Sequence, residues 1–529
     1  VAIAGVGIAT ARATIHRWVK PVEEVSFYTY GDREYFETPR RFPIASTYAD
    51  VVRGLLPAGW RLTHFDTWLL AKRDEAEPPM QGFKIHLSSS LRDADAMLRR
   101  LAPVCTSADV MFKVVADPAL HGFMNSKRYS RAGSGKFAAI YPRDEAQFLG
   151  LLDALAEAMA GLDGPYILSD NRYRDSKVVF YRYGAFRRVE RVNIDGTRSL
   201  MMYAPDGSLL TDDRTPYFRL PSWVIDPVPP PAAPAPADTA SELLNGRYEL
   251  DTALTFSNTG GVYRAVDTTT GRLVVVKEAR PHTLTWAGAA VTMEAAEALR
   301  HEHACLQRLQ GVPCVPAAIE LYEEWEHTFL VVEYFEGTSL ATLRAREDFI
   351  LMVKMHDSAA VRRYCWLWVD LCRRLLADIR DIHARGIIVG DISPTNILVD
   401  EVTGQLAFID LEGASPSDAS EHVAKFGTQW FNPGFRKVGS RLADALTAAD
   451  DFYSCGMLLY NLVCPTQTML ELDTAHPVFR MLDHFIDAGL PKQIRDIIQL
   501  LLDGNGVEAE AAALAWHREG IPEREALCV

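Results

Sequence analysis

The stretch Asp391-Ile392-Ser393-Pro394-Thr395-Asn396 sets a carboxylate and an amide at the two ends of a short polar loop, just before the apolar run Ile397-Leu398-Val399. A carboxylate that orients a hydroxyl and an amide that holds a divalent metal are two of the parts that phosphoryl transfer needs. That reaction asks for positioned charge more than for covalent chemistry. The remaining parts occur in fitting order. Asp410 ends the apolar run Leu406-Ala407-Phe408-Ile409 and offers a second metal contact. Lys277 ends Val274-Val275-Val276 and can hold nucleotide phosphates, while Glu302 on the next predicted helix can hold that lysine. Gly260 and Gly261, in a hairpin-like region upstream, are candidates for the turn over the nucleotide. A lysine after three valines is by itself an ordinary strand; the ordered set is the specific signal.

A second set of chemistry-bearing residues lies in the first part of the chain. In Phe83-Lys84-Ile85-His86 the alternation turns Lys84 and His86 to one side of a strand. Lys113 follows, then Arg131 within a basic run from Lys127 to Lys136, then Tyr141, Arg172 and Arg182. Each is ordinary as a solvated surface charge. Together they form a set of cations suited to a phosphate group, since guanidinium forks match phosphate oxygens. Gly133-Ser134-Gly135-Lys136 lacks the full pattern of a nucleotide phosphate loop.

These two sets must sit on different domains. The chain has 529 residues, too many for one hydrophobic core. Its clearest divider is Asp226–Pro236, which holds six prolines and reads as an extended spacer. The domains are therefore expected at 1–225 and 244–529, joined by a Pro/Ala-rich linker at 226–243. Before the linker, the strand-like Lys177–Tyr183 mixes with a helical pattern over Glu145–Met159, which predicts an α+β domain. After it, short strands (Gly261–Val266, Leu273–Lys277, Phe329–Tyr334) precede long helical patterns that begin at Val361–Ala384. Strands first and helices later predict a two-lobed domain.

Bulk properties exclude some partners. A net charge of -14 argues against a general nucleic-acid binder. No apolar run approaches the roughly 18 residues of a membrane span. The eight cysteines show no C-x-x-C spacing, so buried free thiols are expected. The chain opens on Val1 without methionine, and its apolar start lacks the basic flank of a secretory core. It reads as a trimmed start of a cytoplasmic protein.

The second half resembles protein kinases in all of these parts. Gly427-Thr428 is similar to the end of an activation segment, and Asp451 to the aspartate that supports the catalytic loop in that family. It departs in three places. Val389-Gly390 stands where His-Arg is usual, so activity is expected without phosphorylation of the activation segment; Leu411-Glu412 replaces Phe-Gly; Thr255 and Ser257 replace the first two loop glycines. Across the whole chain, from Phe27–Arg33 onward, the domain order resembles class III and class IV lanthipeptide synthetases. Tyr166–Asp170, Tyr181–Gly184 and Asp391–Pro394 carry most of that likeness.

The resemblance implies a lyase domain similar to bacterial phosphothreonine lyases, followed by a Ser/Thr kinase. Lys113 would be the base, His86 the general acid and Lys84 the enolate stabiliser, with Arg131, Arg172 and Arg182 clamping phosphate and Tyr141 helping to position it. In the kinase, Asp391 would be catalytic, Lys277, Glu302, Gly260 and Gly261 would serve ATP, and Asn396 and Asp410 would hold Mg2+. The implied partner is a precursor peptide with a leader and a Ser/Thr/Cys-containing core. The family's cyclase should begin after Glu508–Ala513, where this chain runs out. Either the chain is the lyase–kinase piece of a longer synthetase or a two-domain dehydratase works with a separate cyclase; the missing methionine favours the former. Two rivals remain: a regulatory kinase whose first domain only binds phosphorylated partners, and a pseudokinase scaffold for a leader peptide.

Overall fold

The computed structural model describes residues 46–74, 77–212, 215–229, 243–287, 292–346, 355, 357–430, 432, 434–437, 445–464 and 476–520. Phe27–Arg33, most of the proline-rich spacer and Cys528 lie outside them. The described residues fall into two compact units. The first runs to Arg272 and also takes in Val276–Ala296 and Tyr322–Phe329; the second holds Leu273–Val275, Glu297–Leu321 and the chain from Leu330.

The first unit begins with α1 (Thr47–Leu55), β1 (Trp60–Phe65), β2 (Trp68–Arg73), β3 (Gln81–Leu87), α2 (Ala94–Ser107), β4 (Phe112–Val115), α3 (Pro118–Met124) and β5 (Ala138–Ile140). There follow α4 (Glu145–Ala158), β6 (Asn171–Arg172), β7 (Val179–Ala185), β8 (Glu190–Val192), β9 (Arg198–Tyr203) and β10 (Leu209–Thr211). Seven strands form one sheet in the order β1-β2-β4-β5-β3-β7-β6, and β8 to β10 form a separate meander. This is the expected α+β layout.

Alternation along the strands divides the sheet's faces. Ile85, Phe112, Val114, Ile140 and Tyr181 join one core cluster with Met97, Leu98 and Leu101 of α2 and Phe148, Leu151, Leu152 and Leu155 of α4. The helical spacing read from Glu145–Met159 is the reason α4 lies flat here: its apolar stripe meets the sheet, with Phe83 stacked on Phe148 at 5.0 Å. Its start is fixed by Asp144, whose carboxylate accepts the Gln147 N–H at 2.8 Å. The opposite face is left for polar chemistry.

Still in the first unit, β11 (Tyr248–Ser257) and β12 (Gly260–Asp267) form an antiparallel hairpin. The strands β13 (Arg272–Ala279), β14 (Leu284–Ala287), β15 (Thr292–Glu294), β16 (Ala318–Glu324) and β17 (His327–Glu333) cover the predicted strand region, with α5 (Ala295–Arg308) between β15 and β16. In the second unit β18 (Thr338–Ser339), α6 (Leu340–Leu343), α7 (Ser358–His383), β19 (Ile387–Ile388), β20 (Ile397–Val399), β21 (Leu406–Phe408) and β22 (Ser415–Pro416) lead to the helices α8 (Glu421–Gln429), α9 (Ala448–Val463), α10 (His476–Asp487), α11 (Lys492–Leu502) and α12 (Gly506–Gly520). Buried Trp368 on α7 donates its indole N–H to the Leu459 carbonyl of α9 at 3.1 Å. The seven cysteines described are free and buried, as expected. Among the described residues no helix is long and apolar enough to cross a membrane.

Phe148 touches both Phe83 and Tyr181 under the polar face. Phe148→Ala is expected to cost about 3–5 kcal/mol, read as loss of exchange protection of the β3 and β7 amides at lower denaturant.

Candidate active sites

In the second unit the turn between β19 and β20 carries Asp391. Its carboxylate is buried and held from three directions. Asn396 Nδ2 donates to Oδ2 at 2.9 Å, Trp430 Nε1 to Oδ2 at 3.2 Å, and Asn432 Nδ2 to Oδ1 at 2.9 Å. The Asn396 amide nitrogen is spent on Asp391, while its Oδ1 accepts from the Thr395 hydroxyl at 3.3 Å and keeps a second lone pair for a cation. The loop itself is supported by fully buried Asp451 of α9, as the resemblance implied. Asp451 accepts the backbone N–H groups of Val389 and Gly390, both at 2.8 Å, and His383 Nε2 lies 2.8 Å from it.

The unusual Val389-Gly390 has a steric reason. Gly390 sits at φ +78, and a Cβ there would come within 2.6 Å of the Gly413 carbonyl oxygen. The sequence alone shows only the lost arginine. The structure supplies another: buried Arg436 donates to the Gly390 carbonyl and, at 2.7 Å, to that of Gly427. A permanent guanidinium thus ties the catalytic loop to the segment after α8.

Asp410 follows β21 in a left-handed conformation at φ +69, which aspartate tolerates better than most residues. Glu302 on α5 accepts the Leu411 N–H at 3.0 Å. One carboxylate oxygen each from Glu302, Asp410 and Glu412 lies within 4.8 Å of the others. That oxygen-only donor set suits a hard divalent cation. Glu412, noted in the sequence only as a departure, therefore joins the metal question. Lys277 lies on β13 and the Gly260-Gly261 pair opens β12. Gly260 is needed for close strand approach, since a Cβ there would overlap the Glu278 carbonyl oxygen at 1.8 Å.

In the first unit, strand register brings the expected cations together. Lys113 on β4 is opposite Ala139 on β5, Ala139 opposite His86 on β3, His86 opposite Phe180 on β7, and Phe180 opposite Arg172 on β6. Lys84 pairs with Arg182 two residues along. Directly opposed residues share a face, so Lys84, His86, Lys113, Arg172 and Arg182 all project from the side away from the α2–α4 core. Tyr141 continues β5, edge-on to Phe186 at 5.3 Å. Arg131 lies off the sheet, over the Phe256 ring at 4.6 Å.

Charges within this face are matched. His86 Nδ1 is bonded to the buried carboxylate of Asp170, which also accepts the Ser169 hydroxyl at 2.6 Å and lies 3.6 Å from Lys136 Nζ. Burial holds the His86 imidazole well below its ordinary value, with Asp170 pulling the other way. Burial also opposes ionisation of Asp170, yet His86, Lys136 and Arg182 keep its carboxyl below the usual range. Arg182 donates to buried Asp212 at 2.8 Å, and Lys84 to the Ala185 carbonyl at 3.0 Å. Gly184 leaves room for this cluster, since its Cβ would lie 3.1 Å from Asp212 and 3.2 Å from Lys84 Nζ. The β8–β10 meander brings Asp212 here through its N–H to the Leu200 carbonyl at 2.8 Å. Lys113 Nζ stands 4.0 Å over the Trp68 ring. Arg172 forms a two-bond pair with Glu326 at 2.8 and 2.7 Å. Asp170, Asp212 and Glu326 were not singled out from sequence; only Asp170 had a signal, its place beside Ser169 in a stretch already marked.

Two family models match the chain in succession, meeting near the proline-rich spacer, whereas the first compact unit extends past that boundary to Arg272 and beyond. Residues 48–241 match the family model described as RamC, N-terminal domain, and residues 248–497 match the protein kinase domain. The chain is similar to the probable SapB synthase of Streptomyces coelicolor, 36% identical over 456 residues, covering 84% of this chain and 47% of that one. It is also similar to the CBL-interacting protein kinase 22 of Oryza sativa subsp. japonica, 30% identical over 238 residues, covering 42% of this chain and 49% of the kinase. The DNA damage-responsive serine/threonine-protein kinase RqkA of Deinococcus radiodurans is 26% identical over 228 residues, 43% of this chain and 31% of its own. The chain thus spans about half the length of the first two.

If Arg436 replaces phosphorylation in ordering the catalytic loop, phosphatase-treated protein should keep its full initial velocity of peptide phosphorylation. Arg436→Ala should lose on the order of 10²-fold, the scale of a small misplacement of catalytic groups.

Proposed function

The chain joins a RamC N-terminal domain to a protein kinase domain, the pairing of the lanthipeptide synthetases it resembles, and on that footing we propose that it dehydrates a ribosomal precursor peptide. The kinase half transfers phosphate from ATP to Ser and Thr hydroxyls. The first half then eliminates that phosphate, leaving dehydroalanine and dehydrobutyrine.

In the transfer step Asp391 orients the hydroxyl and accepts its proton. The donors on both of its oxygens fix the carboxylate in place. Asp410 and Asn396 would hold magnesium, with Glu412 beside them; the ion supplies charge neutralisation for the phosphates. Lys277, Glu302, Gly260 and Gly261 would serve the nucleotide.

In the elimination step Lys113, as free amine, takes the Cα proton. The electron pair left on Cα is first held as an enolate; its collapse forms the Cα–Cβ double bond as the Cβ–O bond breaks, and the departing phosphate oxygen takes a proton from His86. Asp170 on Nδ1 turns Nε2 to the substrate. His86 rests neutral, so it first takes a proton on Nε2 from solvent as the phosphate dianion binds, and that proton is the one passed to the leaving oxygen. Lys84 steadies the enolate. Arg182 and Arg131 hold the phosphate, with Tyr141 at the rim; Arg172 reaches that role only by leaving Glu326.

The observation that carries this reading is the shared sheet face of Lys84, His86 and Lys113, in a chain that also keeps Asp391, Asn396 and Asp410. A domain that merely bound phosphorylated partners would need the arginines, but not a histidine oriented by a buried carboxylate. A scaffold would not need the intact set around Asp391.

Two variants test the two steps. Asp391→Asn should stop phosphorylation of the peptide and leave elimination from a synthetic phosphopeptide unchanged. Lys113→Ala should do the reverse and accumulate phosphopeptide, with elimination slowed by on the order of 10²–10⁴. Peptide mass distinguishes the products. Normal dehydration by a Lys113→Ala, His86→Ala double variant would remove the lyase reading.

A further inference from the structure

Asp170 sits in a connecting segment rather than on a long strand, yet its carboxylate must hold one imidazole nitrogen at fixed geometry. The start of the segment is well packed: a Cβ on Gly164 would lie 2.7 Å from the Ser89 nitrogen just after β3. From Tyr166 to Arg172, side chains from the part of the chain matching the kinase domain take over. All of them belong to the first compact unit.

Arg280, just after β13, is fully buried and donates to the Tyr166 carbonyl. Its other terminal nitrogen donates to the Asn258 carbonyl at 2.7 Å, and Asn258 in turn donates to the Ser126 carbonyl at 2.9 Å. The Tyr166 ring meets Trp325 edge-on at 5.5 Å. At the far end Arg172 is gripped by both oxygens of Glu326, with the rings of Tyr166, Phe180 and Trp325 at 4.9, 5.8 and 5.3 Å. A planar fork caged by rings and matched bidentately is a rigid fixture.

We propose that Glu326 and Arg280 are positioning residues of the elimination site, bracing Tyr166–Arg172 so that Asp170 keeps His86 oriented. Arg172 is then a strut rather than a phosphate ligand. This inference rests on the lyase reading above and deepens it: the elimination site is completed by residues that lie beyond the proline-rich spacer in sequence.

The test is elimination from a synthetic phosphoserine peptide by the full chain, without ATP. Glu326 is partly exposed in a turn, so Glu326→Gln should fold normally. Its kcat should fall by about 10- to 100-fold, the scale of a slight misplacement of catalytic groups, with KM for the phosphopeptide unchanged. Arg172→Lys, which keeps the charge but loses the fork, should behave alike, and the two changes combined should cost little more than either alone. An unchanged kcat in Glu326→Gln would overturn the proposal. So would a fall in its KM, or a rise in KM alone for Arg172→Lys, because both mark Arg172 as a phosphate ligand. His86→Ala in the same assay separates the two readings: normal elimination there defeats the lyase assignment itself, whereas its loss beside a normal Glu326→Gln defeats only the strut.

Discussion

A protein that handles phosphate must gather cations, and gathering them on one sheet face sets charges against each other with little water between. In the first half of this chain several cationic side chains share one face of the sheet. Lys84 and Arg182 are buried, and a buried charge is tolerated only when matched by partners. Asp170 answers Lys136 and takes the His86 imidazole as a hydrogen-bond partner, and Asp212 answers Arg182. The segment before β6 and the β8–β10 meander bring those carboxylates in. Helices α2 and α4 seal the other face, so that the polar side can be specialised without weakening the core.

The kinase half meets the converse need, that of fixing carboxylates in a confined loop. It does so with fixed donors. Asp451 takes two backbone N–H groups and Asp391 takes three side-chain donors. Arg436 spans the loop and the following segment through carbonyl oxygens. None of these contacts requires a phosphate to be added first. That accounts physically for a sequence in which Gly390 stands where an arginine is usual.

What could be read from sequence was what local period and order encode. Lys84 and His86 share a face because strands alternate, and Asp391, Asn396 and Asp410 are recognisable by their spacing around two short apolar runs. The strands expected at Gly261–Val266 and Phe329–Tyr334 recur within a residue or two. Lys113 joins His86 only through the pairing β4-β5-β3, which no spacing along the chain announces. Asp212 and Glu326 were invisible for the same reason: each is an ordinary acidic residue, just after β10 and in a turn respectively, until a distant arginine meets it. Arg436 could not be found because a structural steric limit at Gly390, rather than any motif, explains why the cation comes from elsewhere.

The central claim is that one chain first phosphorylates a hydroxyl and then expels that same oxygen with the phosphate. It is tested most directly by a peptide whose serine hydroxyl carries an oxygen isotope, incubated with ATP and magnesium. The account predicts dehydrated peptide, with the labelled oxygen recovered in inorganic phosphate. Label released as water, or retained in a peptide that stays phosphorylated, would contradict it.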